Sequence, residues 1–483
     1  MIAVPQERML MWMLVAILAE LALLCLLLLR MQQRRISYLH PGWALVLVSF
    51  FYALPVPLLW LLSPEAIGDL SDALVEYYRF DRFHAIVLFF ALSMAGFLSA
   101  QILISVAGKA AGRTWRALVK LSRGLHRGAL RMSIAVACTC AIVLGWMYFS
   151  SIGGFMAFLS VSRREAFEQL SAASPIIRYH SLVNGFFMLF AVYVLSRPRR
   201  SRVATGIFWI SLASYCALEL AKGTRLTILV LLLGLGAVLF AIRPSAVFSR
   251  KRVLVVAMVA VAVLFSWFGM QRSNVAAFLQ GRGWYGGTEA ASWMDLFPLE
   301  TITAYVPGLV MLDVEDQGFN TPYWRKPIPS TVSNLLGWEK PDTLSRAMAI
   351  YMVGPSGQPV YTVTLPTDIY LGTESAALVF AISLLIYLAF HGAVSAASQR
   401  GYMGIGLAAI LFMQTWYVVR VEFSNWFSKL WQDVLVFAVF WLLYKLVRGA
   451  LPAATGRAKS ESRALASSQD SEWQSSRGPG VQD

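Results

Sequence analysis

Stretches of about twenty predominantly apolar residues, the length a helix needs to cross the hydrocarbon of a bilayer, recur along this chain. They lie near residues 9–29, 42–62, 84–108, 132–150, 179–196, 203–220, 224–242, 253–270, 372–391, 402–419 and 430–447. A backbone surrounded by lipid has to satisfy its own N–H and C=O groups, which a helix does within one segment. The expectation is an all-α integral membrane protein of about eleven transmembrane helices. Composition agrees: 58% of the 483 residues are apolar and 14% are charged, against about a quarter charged in a soluble domain.

The first run, from Met9 to Leu29, is too long for a signal-peptide core. It is followed by Arg30, Arg34 and Arg35 in place of a small-residue cleavage site, and so reads as a retained anchor. Charge gives an independent test of the helix count. With the N-terminus outside, the inner connections are 30–41, 109–131, 197–202, 243–252 and 392–401, and all five contain Lys or Arg and no Asp or Glu. The first outer connection, 63–83, is acidic, with Glu65, Asp69, Asp72, Glu76 and Asp81. Such an alternation is the positive-inside bias, and one missed or false helix would break it downstream. The net charge of +15 is therefore mostly a topology signal. Nucleic-acid binding is not needed to explain it, because the basic connections carry few interleaved aromatics and no binding motif.

Within 109–131, Lys109, Arg113, Arg116, Lys120, Arg123 and Arg127 recur every three or four residues. That spacing predicts a helix lying on anionic membrane lipid, with a docking site for a partner as the alternative. The polytopic domain spans 1–447 and a tail spans 448–483; residues 452–483, rich in Ser, Arg, Gln and Glu, are expected to be disordered on the inner side. Cys25, Cys138, Cys140 and Cys216 fall inside apolar runs and read as small packing residues. The acidic residues inside the spans are Glu20 and Asp433. Both read as lying towards helix ends, which weighs against a transporter built around midplane charges.

Residues 271–371 form an outer segment of about a hundred residues between two spans, and a connection of that length is uncommon unless it works. It offers stacking surfaces such as Trp284, Tyr285, Trp293 and Trp324, cations including Arg272, Arg282 and Arg325, and carboxylates including Glu300 and Asp368. Aromatic faces beside cations and carboxylates suit a sugar held next to a phosphate; an interfacial aromatic belt under a solvated lid is the alternative. In the outer connection 151–178, Arg163 and Arg164 run against the positive-inside bias. They either bind an anionic headgroup or pair with Glu165 or Glu168. Lys222 and Arg225 flank a tight outer turn at Gly223, where they either snorkel to lipid phosphate or neutralise a diphosphate leaving group. No histidine lies in the large segment, the chain holds no nucleophile elbow or phosphate loop, and the first outer connection holds no Asp-x-Asp or Glu-x-Asp metal-ligand pattern. No cofactor or metal is expected.

Four stretches in order resemble the O-antigen polymerase family, the oligosaccharide repeat-unit polymerases of bacterial inner membranes. They are Gly153-Gly154-Phe155-Met156-Ala157-Phe158-Leu159 followed by Arg163-Arg164-Glu165; Gly223-Thr224-Arg225 opening a very apolar helix; Trp324-Arg325-Lys326-Pro327-Ile328-Pro329 with Trp338-Glu339-Lys340-Pro341; and Leu365-Pro366-Thr367-Asp368. The third is similar to the family's Pro-Arg-x-x-Trp-Pro-x-Lys-Pro neighbourhood, except that Arg325 here precedes the prolines. The resemblance covers roughly residues 130–445. It implies a bundle of the kind found in membrane-embedded glycosyltransferases, with a periplasmic N-terminus, a large periplasmic loop and a cytoplasmic C-terminus. It implies transfer of a growing glycan from undecaprenyl diphosphate to a sugar hydroxyl of a second lipid-linked repeat unit, in O-antigen, capsule or exopolysaccharide synthesis. The implied partners are that lipid-linked oligosaccharide, a flippase and a chain-length regulator. Arg163, Arg164, Lys222, Arg225, Arg272, Arg282 and Arg325 would stabilise the diphosphate and hold sugar, because charge develops on the leaving group. Glu300, with Asp368 as the alternative, would take the acceptor proton. The O-antigen ligase branch shares the large loop but is expected to carry a histidine in it; a transporter of polysaccharide or lipid-linked sugar is the alternative from another class.

Overall fold

A computed structural model of the protein describes residues 6–33, 40–54, 57–58, 83–106, 127–151, 363–398 and 401–450, with single positions and short runs between 206 and 344. Eight helices are built from them: α1 (Gln6–Gln33), α2 (Pro41–Ala53), α3 (Phe83–Val106), α4 (Arg127–Ser151), α5 (Leu365–Thr373), α6 (Ala376–Ser398), α7 (Gly401–Arg420) and α8 (Phe423–Ala450). Residues within 206–216 and 228–236 are helical as well, inside two further apolar runs. No strand occurs among the described residues. Four stretches, Leu14–Gln33, Ala85–Val106, Ala376–Ala396 and Phe423–Ala450, are long and apolar enough to cross a membrane, and Gly406–Val419 is a shorter apolar helix.

The outward faces of these helices are themselves apolar. Trp12, Leu18 and Leu29 on α1, Val106 on α3 at 79% exposure, Trp146 on α4 at 74%, and Leu435, Val439, Leu442 and Leu446 on α8 all point away from the core. A soluble monomer does not carry apolar surface on this scale, so the chain is an all-α membrane-associated protein. The interior is built from Phe90, Phe97, Tyr387, Phe440 and Tyr444 with Ile17, Leu27 and Met31.

Helix ends have local causes. Pro41 fits the first turn of α2, where its missing N–H costs nothing, and His40 caps that helix by accepting from the Gly42 amide at 3.1 Å. The sequence predicts one span over 42–62; α2 stops at Ala53 instead, because Pro55 and Pro57 cannot donate to a helical ladder. Its 13 residues make a rod of about 20 Å, short of the ~30 Å hydrocarbon core. The expected span 372–391 is displaced to α6. Glu374 sits in the left-handed region (φ 51°, ψ 25°) with its N–H on the Tyr370 carbonyl at 2.6 Å, which ends α5. Ser375 then opens α6 by accepting from the Leu378 amide through its carbonyl at 3.1 Å. The last nine residues before this break, expected as the end of an outer segment, are a buried helix.

Three contacts fix how α1, α3 and α6 run. Arg30 near the end of α1 donates to Ser105 near the end of α3 at 2.7 Å. Ser93 meets Ser383 at 2.9 Å, and further along the same two helices Gln101 donates to Tyr387. The three helices are therefore parallel, and their final turns share one end of the bundle, where His40 also lies against His391. The connections leaving that end include the basic segments after α1 and α3 and Arg400 after α6; it is called the basic end below. The chain leaves α3 at the basic end and enters α6 at the opposite one. α3 and α6 approach closely at Gly96, where a Cβ would lie 2.6 Å from the Phe380 carbonyl oxygen, the small-residue contact that lets membrane helices pack backbone to backbone.

Candidate functional site

Of the site residues expected from the sequence, Asp368 is described by the structure. Arg163, Arg164, Lys222, Arg225, Arg272, Arg282, Glu300 and Arg325 lie outside the described residues, as do residues 109–126 of the basic helix expected within 109–131, whose last residues open α4, and residues 451–483 of the tail expected over 448–483, whose first residues close α8. Asp368 sits in the first turn of α5 and is fully buried. Thr364, in extended conformation, precedes the helix; its carbonyl accepts the Asp368 amide at 2.8 Å and its hydroxyl meets that of Thr367 at 3.1 Å. Asp368 Oδ2 accepts from the backbone N–H of Phe423 at 3.0 Å. Phe423 is the first residue of α8. The carboxylate thus satisfies one of the orphan donors at that helix start and faces the positive end of its dipole. A side chain 55 positions away in sequence does the work of an N-cap.

A second carboxylate stands next to this bond. Glu422 is buried, and its carbonyl accepts the Trp426 amide at 3.0 Å. Aromatic rings close around the pair: Phe423 and Trp426 have centroids 5.3 Å apart, and Phe390 lies 5.6 Å from Trp426. The Trp416 and Trp426 indole N–H groups are buried with no hydrogen-bond partner. On the other side, Tyr370 of α5 stacks on Phe89 of α3 at 4.2 Å. Gly308, from the long segment between the spans, is pressed against the same place, since a Cβ there would lie 3.0 Å from Ile86 Cδ1 and 3.2 Å from Thr367 Cγ2. Leu344 of that segment is also part of the apolar core. Gly308 thus packs on the bundle beside the turn that carries Asp368. Carboxylate acceptors, hydroxyls and indole donors at such a junction can hold a hydroxylated ligand.

Sequence reasoning missed Glu422, which is simply the one acidic residue in the short α7–α8 turn, and it missed three polar contacts inside the bundle. His40 and His391 meet at 2.7 Å through Nε2 and Nδ1. Because the Gly42 amide points at His40 Nδ1, that nitrogen is bare and the ring proton sits on Nε2, donating to His391. Tyr387 Oη lies 3.4 Å from the same Nδ1. Burial first, and then the neighbouring His391, hold the His40 imidazole down to a pKa of about 3. Asp433 accepts from Gln414 across the α7–α8 interface. Glu20 is fully buried with neither carboxyl oxygen hydrogen-bonded.

Glu20 and Asp433 read as end residues in the sequence; that reading is corrected here. Glu20 is the fifteenth residue of the 28 in α1, and Asp433 is the eleventh of the 28 in α8. Among the described residues no group of three or more His, Cys, Asp or Glu side chains is placed to hold a metal ion. Comparison with family models, with characterised proteins and with solved structures finds no match to the chain.

Proposed function

We propose that the protein polymerises lipid-linked oligosaccharide repeat units on the outer face of a bacterial inner membrane. The observation that carries this is the contact of Gly308, a residue of the long segment, with Thr367 and Ile86 at the bundle end that bears Asp368 and Glu422. That end lies opposite the basic connections, and the positive-inside bias supports reading it as the outer one. Glu300 stands eight positions before Gly308. In the reaction the anomeric C–O bond to the diphosphate breaks and a bond to the acceptor hydroxyl oxygen forms. The acceptor proton passes to Glu300, and the diphosphate leaves with its negative charge neutralised by Arg163, Arg164, Lys222 and Arg225, while Arg272, Arg282 and Arg325 hold sugar. Asp368, committed to the start of α8, positions the junction and does not itself take the proton.

The test is deletion of the gene in its host, with the surface glycan resolved by length. Loss of long chains with accumulation of a single repeat is the expected outcome; unchanged long chains refute the proposal. Complementation with Arg225→Ala or Glu300→Gln at normal expression should leave the single-repeat product.

A second reading, transport of a lipid-linked sugar, is favoured by the central burial of Glu20 and Asp433 and by the helix break at Glu374, features expected of transporters. It predicts a different deletion product, with lipid-linked repeats stranded on the inner leaflet and no surface repeat at all.

A further inference from the structure

We propose that Glu20, in the middle of the α1–α2–α3 core, is a proton-binding site that exchanges with the basic end of the bundle through the His40–His391 pair. This goes beyond the polymerase proposal and does not depend on it. The carboxyl of Glu20 is sealed from solvent and both of its oxygens lack a partner. An ionisable group at such a position is costly and is retained for use. Among the described residues of α1, α2 and α3 no fixed positive charge lies level with it. α2 contributes His40 and Tyr52 as its titratable groups, and α3 has no charged residue between Phe83 and Val106 and only His84 that titrates. On α1 itself, Arg30 is ten residues away, about 15 Å along the helix, and is engaged with Ser105.

The ligand that fits is a proton. A metal cation of the hard class collects six or more oxygens. Here α1, α2 and α3 are continuous helices whose carbonyls are held in their own ladders, and the other partnerless side-chain oxygen among the described residues of these three helices is the single hydroxyl of Ser49, also fully buried. A proton needs one lone pair.

The path to water is equally specific. Counting back ten residues on both parallel helices from the Arg30–Ser105 contact brings Glu20 level with Ala95, between Ser93 and Gly96. Gln101 is six residues further towards the basic end, about 9 Å along the helix axis. From there the hydrogen bonds are polarised in one direction: Gln101 donates to Tyr387, Tyr387 faces the bare Nδ1 of His40, and His40 donates to His391. His391 is partly exposed at the basic end. A proton given by Glu20 to the Gln101 carbonyl oxygen is matched by one passed from the Gln101 amide to Tyr387, one from Tyr387 to His40 Nδ1 as the Gly42 amide yields that lone pair, one from His40 Nε2 to His391 and one from His391 to water; Gln101 is left as its imidic tautomer and the negative charge stays on Glu20.

The experiment is infrared difference spectroscopy on the full-length protein in lipid, following the carbonyl stretch of a protonated carboxyl as pH is raised and as H₂O is exchanged for D₂O. The expected result is a band that declines with pH, is absent from Glu20→Ala and is displaced in Glu20→Asp. Its deuterium shift should be slower in His391→Phe by a factor on the order of ten, the low side of what a placed proton-transfer group contributes. The proposal is overturned if no Glu20-dependent band exists, if the band is present but never titrates while the fold persists, or if His391→Phe exchanges at the wild-type rate. None of these readouts involves glycan, so a failed polymerase assay leaves the result standing and the reverse also holds.

Discussion

Substituting Gly96 by alanine tests whether α3 and α6 pack backbone to backbone. The new Cβ would sit 2.6 Å from the Phe380 carbonyl oxygen and 3.1 Å from both the Leu384 nitrogen and Ser383 Cβ. Two of these neighbours are backbone, so no side-chain rotation relieves the clash. Restoring an ordinary 3.4 Å contact requires the helices to part by about 0.8 Å, from 3.4 minus 2.6. The Ser93–Ser383 hydrogen bond, 2.9 Å long and one turn away, would stretch to about 3.7 Å if the separation were transmitted in full, beyond a real hydrogen bond. Overpacking costs about 1–3 kcal/mol and the lost hydroxyl pair about 1 kcal/mol. The better helix propensity of alanine returns about 1 kcal/mol, so the net loss is about 1–3 kcal/mol. Gly392→Ala, in α6 with no atom within 4 Å of its Cβ, receives the propensity gain alone. Reversible unfolding in mixed micelles should separate the two variants by about 2–4 kcal/mol on these figures. If Gly96→Ala is as stable as Gly392→Ala, the close packing of α3 on α6 is refuted.

Asp368→Ala removes the acceptor of the Phe423 amide and should cost about 0.5–2 kcal/mol, the usual loss for an N-cap, whereas Asp368→Asn keeps an acceptor oxygen and should unfold close to wild type; equal losses in the same micelle assay would deny the capping role. Gly42→Ala places a Cβ 2.7 Å from Tyr387 Oη and 3.1 Å from His40 Nδ1, and should destabilise by about 1–3 kcal/mol while weakening the Tyr387–His40 contact, visible as a shift in the histidine ring resonances. The depressed pKa of His40 sets a pH window. With the ordinary value at 6.5 and the folded value at about 3, the unfolded chain binds the extra proton first, so stability is complete above 6.5 and falls as pH drops from 6.5 towards 3. By pH 5 the loss is about 2 kcal/mol, and His40→Asn, which still caps α2, should flatten that slope in an unfolding series against pH.

The helical membrane character and four of the spans were legible because membrane spans are written as composition over some twenty positions, and errors at single residues average out. The four span-length apolar helices all fall on runs marked in the sequence. Boundaries were less legible where one residue decides them. Pro55 and Pro57 shorten α2, and the left-handed Glu374 cuts α5 from α6, although the apolar character runs through both places. The candidate site was legible only as a set of separate pieces. Asp368 could be marked as an outer carboxylate, but its bond to Phe423 joins residues 55 apart, and His40 and His391 are 351 apart. Nothing local in either stretch encodes such pairings; they exist because helices distant in sequence share a face. Glu20 was visible as a lone acid in an apolar run, and its burial became a fact only once α2 and α3 were packed around α1.

The parallel packing of α1 and α3 with α6 has a consequence for biosynthesis. α3 ends at Val106 and α6 begins at Ala376, so some 270 residues are translated between two helices that must become neighbours. At 5–20 residues per second that is about 15–50 s. For that time α3 stands in the bilayer with Ser93, Gln101 and the notch at Gly96 turned towards lipid or a helper, and His40 has no His391 to meet. The N-terminal helices are thus inserted early and matured late. A ribosome stalled before residue 376 would leave an unfinished polar seam for the membrane quality-control machinery to find.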